Sequence, residues 1–341
     1  MRFGLGPLTI EAAHGKNHVD VFEEALEQAV IAEWWGFDSV WLDERNFTGT
    51  TSFNSSSAVL AAAVAQRTSH VRVGTMPILG LVNAIYVAEE VACVDNIANG
   101  RVIVAGQVAT DEVARGWGGS NSVARIRDDV AVMRKAWGPN PFNHHSDFHT
   151  IPGEIEAHSV AVGLHSISVQ PKPAQLDMPL WLSGGTTAAE AAQADGLPYF
   201  GPAHLSLAQL RPLYEGSVAR EGVIVPLARD VFIAPTQDEA WELARPAVDA
   251  LYRALADEGQ VEGYGSFDEF AADRFIIGDP DSCIDQIYRY QNELGVNYLV
   301  ARLAYHSMHA GQTAKAIQLF GQGVVPEFRM FGLPSEIRKV V

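Results

Sequence analysis

The 341-residue chain has only two cysteines, Cys93 and Cys283, far apart and each inside a helical pattern. A disulfide framework is not indicated, and the pair fits a reducing compartment. Basic residues are scarce as well: 24 Lys and Arg stand against 41 Asp and Glu, for a net charge of −17. That balance argues against a polyanion-binding surface, so neither nucleic acid nor an acidic membrane is an expected partner. Long apolar runs are missing. No stretch reaches the about twenty residues a spanning helix needs, and Gly4, Gly6 and Pro7 interrupt the N-terminus before it can read as a signal peptide. A cytoplasmic protein is the expectation. The chain also lacks Gly-x-Ser-x-Gly, a Walker loop and His-Glu-x-x-His, which leaves hydrolase and nucleotide-triphosphate readings without support.

What the chain does have is apolar residues, at 48%, in a regular rhythm. The β-branched run Val71 to Thr75 is followed by Val87, Val91, Val94 and Ile97 at helix spacing. Asn99-Gly100 stops that helix, and a second apolar run reaches Gly106. This is the strand–helix–strand crossover of a buried parallel sheet. Strands are predicted at 2–8, 37–42, 71–76, 102–106, 179–183, 198–201, 228–234 and 297–303, with helices between them at about 19–35, 55–66, 84–98, 122–137, 187–194 and 205–221. Further helical segments at 236–258, 267–274 and 281–294 precede the last strand, and a final helix is placed at 312–321. Eight strands, each followed by a helix, predict an α/β fold: a (β/α)8 TIM-type barrel with an insertion after strand four and extra helices before strand eight. No Gly/Ser- or Pro-rich linker divides it, so residues 1–341 read as a single domain. Residues 108–178 form an insertion or loop region at the catalytic face, with room for a small hairpin at 138–178.

Function in such barrels sits at the C-terminal strand ends. Ser183-Gly184-Gly185-Thr186-Thr187 closes strand five and opens a helix. Small residues there let backbone N–H groups approach an anion at the positive helix end, and the hydroxyls add donors; an ordinary capped turn has the same composition. Strand two ends in Glu44-Arg45-Asn46-Phe47. Arg45 can bind a carboxylate or carbonyl oxygen, or simply pair with Asp43 or Glu44. His144, His145 and His149 are spaced like metal ligands, but solvated loop histidines are the expectation and no metal is assigned.

Several phrases resemble the luciferase-like flavin-dependent monooxygenases, over about residues 1–330. They are Ala88-Glu89-Glu90 with Asp95 and Gly100-Arg101, the run from Ala191-Ala192 to Gly196-Leu197-Pro198, Gly278-Asp279-Pro280, and Phe320 with Val324-Val325-Pro326. The resemblance implies the bacterial luciferase-like barrel, a homodimer formed through helices on one side, and reduced FMN supplied by a separate flavin reductase. With O2 it would oxygenate a small-molecule substrate such as an aldehyde or ketone. Ser183, Gly184, Gly185 and Thr186 match the flavin-phosphate loop. Thr75, Met76, Pro77 and Gly106 fall where the family meets the flavin, and the Met76–Pro77 bond is predicted to be cis. Arg45 and Asn46 replace the family's histidine pair as candidate catalytic residues. The arginine that usually follows strand four is replaced by Val108-Ala109-Thr110, with Arg115 close enough to substitute. Two alternatives stay open: a deazaflavin-dependent oxidoreductase of the same fold, or a non-catalytic flavin- or ligand-binding relative.

Overall fold

The computed structural model describes residues 1–8, 16–47, 54–119, 121–153, 165–215, 222–257, 266–305 and 308–330. Residues 154–164 of the predicted excursion and 216–221 of the predicted sixth helix lie outside them. The elements run β1 (Arg2–Leu5), α1 (His18–Trp34), β2 (Ser39–Asp43), α2 (Ser57–Arg67), β3 (Arg72–Met76), β4 (Ile78–Leu79), α3 (Ala84–Ile97) and β5 (Val102–Val108). Next come α4 (Asp111–Gly116), α5 (Val123–Trp137), β6 (His144–His145), β7 (Thr150–Ile151), β8 (Leu180–Ser183), α6 (Thr186–Asp195), β9 (Tyr199–Phe200) and α7 (Leu207–Tyr214). The chain continues through β10 (Pro226–Ile233), α8 (Gln237–Asp257), α9 (Phe267–Arg274), β11 (Phe275–Gly278), α10 (Pro280–Leu294), β12 (Tyr298–Arg302), α11 (Ala310–Gly323) and α12 (Val325–Met330).

The large sheet is parallel throughout, in the order β11-β10-β12-β1-β2-β3-β5-β8-β9. A parallel bridge between Gly201 and Leu227 brings the end of β9 against β10, so the sheet is curled. Its outer face carries Val40, Val73, Val104 and Leu182, which pack with the flanking helices in the main core. The enclosed face carries Trp41, Met76, Ile103, Trp181, Phe200, Tyr298 and Val300 as a second apolar layer. Trp41 and Trp181 stack there with ring centroids 4.8 Å apart. Gly74 on β3 has to be glycine for this layer to form, because a Cβ there would lie 2.3 Å from the Trp41 ring.

The opening crossover forms as its periodicity predicts, Val73 lying opposite Val102 and Thr75 opposite Val104. Val87, Val91 and Val94 of α3 are buried, but Ile97 is 45% exposed. At about 100° per residue, Ile97 has rotated about 80° around the helix from Val87, off the buried face. Asn99 and Gly100 both take positive φ, 53° and 77°, and end the helix. The family-like phrase here is a staple: Asp95 accepts from Val102 N–H and from Gln175, while Arg101 donates to the carbonyls of Ala65, Thr68, Val71 and Ala98.

Four elements escaped the sequence reading, one of them α12, which lies beyond the predicted final helix. β11 is only four residues long, wedged between α9 and the Asp279 cap, so its apolar run Phe275 to Ile277 is too short to register as a strand. α4 is a single short helix capped by Thr110. β4 extends β3 past Pro77, and this overturns the predicted cis bond. The Met76–Pro77 peptide is trans, with cis bonds at Gly6–Pro7, Ile151–Pro152 and Gln170–Pro171. The trans, extended link lets the Pro77 carbonyl accept from Gln107 N–H at 2.8 Å and keeps Ile78 and Leu79 paired to β5. Among the described residues no helix is long and apolar enough to cross a membrane.

Candidate active site

Side chains alternate along a strand, so residues two beyond the enclosed apolar layer stand above it at the C-terminal mouth. From Trp41 this leads to Asp43, from Ala105 to Gln107, from Trp181 to Ser183, from Ala228 to Asp230 and from Val300 to Arg302. The mouth is therefore polar over an apolar floor. Arg302 donates from Nε and Nη2 to the two carboxylate oxygens of Asp230, at 2.7 and 2.8 Å. Its carbonyl accepts from the Tyr305 hydroxyl, whose ring stacks on Phe232. Gln107 bonds the Glu44 backbone in both directions and so braces the end of β2.

At that end, Arg45 makes one of the two contacts anticipated for it: Nε donates to Asp43 Oδ2 at 2.8 Å, with the side chain 36% exposed at the rim. Asn46 follows, half-buried. Glu44 points the other way. Its carboxylate accepts from Ser57 N–H, the Ser57 hydroxyl and Ile78 N–H, tying β2 to α2 and β4. Burial holds its pKa above the ordinary value despite those bonds. Thr75 donates its hydroxyl to Ser57, on the helix side of the sheet, whereas Met76 lies in the enclosed layer. Gly106 also faces the helices; Leu79 packs so closely on it that a Cβ would meet Leu79 at 2.4 Å. The structure thus brings Met76, Ser183 and the Arg45 rim to the mouth and turns the side-chain faces of Thr75 and Gly106 away.

The loop after β8 has an unusual helix start. Gly185 caps α6 with no side-chain hydrogen bond. Every other helix with a described N-cap is capped by a side chain: Asn17, Ser56, Asn83, Thr110, Ser122, Ser206, Ser266, Asp279 and His309. The first amides of α6 are consequently left for an external acceptor. A Cβ on Gly185 would meet nothing within 4 Å, while one on Gly184, at φ +138°, would lie 2.9 Å from the Val108 carbonyl. The Tyr199 hydroxyl fixes this turn by donating to the Gly184 carbonyl at 2.6 Å. Ser183, Gly184, Gly185 and Thr186 are together here, in a cradle suited to a phosphate.

Two of the three histidines, His144 and His149, are not solvated, which corrects that expectation for them, while His145 is exposed as expected. His144 and His149 are buried, with Nε2 atoms 2.7 Å from Asp128 and 2.6 Å from Asp129. Helix α5 presents the two aspartates one after the other, and the β6–β7 hairpin answers with two histidines. Asp129 also accepts from Arg125 and from Gly80 N–H, linking the hairpin to the loop after β4. Among the described residues no cluster could hold a metal ion.

Gln107, Asp230 and Arg302 escaped the sequence reading of the mouth, and so did His204. His204 follows Gly201, Pro202 and Ala203 on the loop leaving β9, and its side chain is exposed. Ala203 packs against the enclosed layer, and its carbonyl accepts from Arg229 Nη1 at 2.7 Å. Arg229 is wholly buried, lies over the Tyr290 ring, and leaves Nε and Nη2 unbonded. Desolvation by neighbouring groups, with the charges of Arg229, Arg274 and Arg302, outweighs Asp230 and lowers the pKa of His204. A lone histidine between a Pro-Ala turn and a helix cap carried no signal in sequence.

A curled parallel sheet with an apolar floor, a polar mouth and an open helix terminus at the strand ends has the architecture of an α/β enzyme whose chemistry sits at its C-terminal face. Residues 1–297 match the family model of luciferase-like monooxygenases, and the chain belongs to that family. It is an enzyme, and its relatives are flavin- or F420-dependent oxidoreductases. A curated relative, the F420-dependent glucose-6-phosphate dehydrogenase of Segniliparus rotundus, is 23% identical over 90% of this chain and 94% of its own length. Among solved structures, the monooxygenase RslO1 of Streptomyces bottropensis superposes with a TM-score of 0.81 at 22% identity, covering 96% of this chain and all of that one. The oxygenating constituent of 3,6-diketocamphane monooxygenase of Pseudomonas putida, in complex with FMN, gives 0.76 at 18% identity, over 96% and 98%.

Proposed function

We propose that this protein is a flavin-dependent monooxygenase, a single-domain (β/α)8 barrel that uses reduced FMN from a separate reductase, together with O2, to oxygenate a small organic substrate such as an aldehyde or ketone. The observation that carries the reading is the uncapped start of α6, with glycine at 184 and 185, at a strand end of a luciferase-like chain. Ser183, Gly184, Gly185 and Thr186 would hold the flavin phosphate, the helix end opposing its charge. Met76 and the backbone from Thr75 to Pro77, with Gly106 behind them, would form the wall beside the ring. When bound, reduced flavin supplies the two electrons that let one atom of O2 enter the substrate and the other leave as water. The protein's own part is to exclude water with the apolar floor and to hold the substrate near the Asp230–Arg302 and Asp43–Arg45 pairs. Insertion residues 108–122 and 138–178 would set substrate choice.

Anaerobic titration with reduced FMN, followed by O2, tests this. Binding followed by a transient flavin–oxygen absorbance and substrate oxygenation is the expected result. Absence of any FMN binding would sink it. A second reading, hydride transfer with deazaflavin, is favoured by the F420-dependent relative, and activity with F420 alone would establish it; the charge of −17 suits the acidic tail of that coenzyme poorly. We further propose a cytoplasmic homodimer through α1, α2 and α3, on which Val19, Phe22, Val30, Trp34, Val59 and Tyr86 are exposed.

A further inference from the structure

We infer that His204 is the acid–base residue of this mouth, exchanging a proton with the bound substrate where Arg45 and Asn46 cannot. The inference rests on the reading that the reaction takes place at these strand ends. An arginine stays protonated and an amide side chain does not titrate, so the β2 terminus can orient a substrate but cannot take a proton from it. The other described histidines near the barrel face are committed: His144 and His149 to aspartates, His309 to the cap of α11.

His204 differs in three respects. Its ring is exposed and makes no hydrogen bond among the described residues. Its backbone is held, because Arg229 grips the preceding carbonyl and Ser206 starts α7 two residues on with a full capping box. And its loop leaves β9 at the strand ends, with Ala203 packed on the enclosed layer, where the charges that act on the ring are Asp230 and Arg229 from β10, Arg302 from β12 and Arg274 from α9. The three arginines and the crowded setting favour the neutral ring, which is the form that accepts a proton. Asp230 supplies the countercharge once the ring is protonated. The ring takes a proton from a substrate O–H or acidic C–H and returns it to the product or to water, so turnover leaves the enzyme's proton count unchanged.

Modification by diethyl pyrocarbonate, located by peptide mass spectrometry, reads the ring without requiring turnover. In the free protein, His204 is expected to react about tenfold faster than the paired His144 and His149, as an accessible neutral imidazole should, and bound FMN or substrate should slow it. In His204→Gln, turnover should fall about 100-fold or more with FMN affinity kept, and the acid limb of the pH–rate profile, expected below the ordinary histidine value of 6.5, should vanish. Unchanged turnover and pH profile in a variant that still binds FMN overturns the inference, and so does a His204 no more reactive than the paired histidines. Failure of the functional reading looks different: neither FMN nor F420 binds, and the inference falls with it.

Discussion

Gly185 separates binding from stability at a single position. A side chain there meets open space and the backbone is extended, so Gly185→Asp can cap α6. The fold should gain a few tenths of a kcal/mol, roughly the Gly-to-Asp difference at an N-cap. Its carboxylate would occupy the phosphate's position, and FMN should bind about tenfold or more weakly, equivalent to about 1.4 kcal/mol; denaturant midpoints and a flavin titration on one preparation check both. Glu44 makes the opposite case, a polar residue of the strand end that serves the scaffold. Glu44→Gln replaces an acceptor of three hydrogen bonds with a side chain that must aim N–H at a donor, costing about 1–3 kcal/mol. Because burial raises its pKa above 4.5, the folded protein holds that proton more tightly than the unfolded chain. Its contribution to stability therefore falls as pH rises from 4.5 through the higher folded value, and is level above it. Urea midpoints measured across that range should show this slope in the parent and lose it in the variant. Sequence alone could not assign these residues, since Glu44 and Arg45 are neighbours that a strand's alternation sends to opposite faces.

At the scale of elements, the β6–β7 hairpin is fastened to α5 by two buried His–Asp pairs. Asp129→Ala removes the partner of His149, Arg125 and Gly80 N–H together and should destabilise the fold by about 3–5 kcal/mol, as for a broken buried pair. Hydrogen exchange at the Gly80 amide should speed up in the same variant. Burial opposes ionisation of Asp128, but hydrogen bonds from Ser146 and His144 and the charge of both histidines outweigh it and hold its pKa below 3.8. That support is complete above 3.8 and is lost as pH falls through the lower folded value. Helix and strand positions were largely legible because apolar spacing and stop residues are local signals. The hairpin's purpose was not, since His144 and His149 find their partners 16 and 20 residues away. The phrase around Asp95 and Arg101 read as a mark of cofactor, and its side chains instead close the crossover to which they belong.

For the whole molecule, seven of the exposed large apolar residues among those described, Trp34 and Val59 with them, fall on the consecutive helices α1, α2 and α3. Trp34 is 80% exposed and Val59 70%, so charging either should leave the fold intact. Light scattering should return about twice the 36.9 kDa chain mass for the parent, and close to one chain mass for the double variant Trp34→Glu, Val59→Glu. An unchanged dimer in that variant would place the interface elsewhere. By itself the sequence determined most of the strands and helices, their parallel crossovers and a luciferase-like α/β fold, because periodicity, glycine stops and caps act within a few residues. Only the tertiary structure decided which side chains share the mouth. A parallel strand buried on both faces is apolar on both, so its pattern does not say which face is enclosed. That choice set Asp230 against Arg302, 72 residues away, turned Thr75 and Gly106 outward, and set the loop of His204 at the strand ends, its preceding carbonyl held by Arg229.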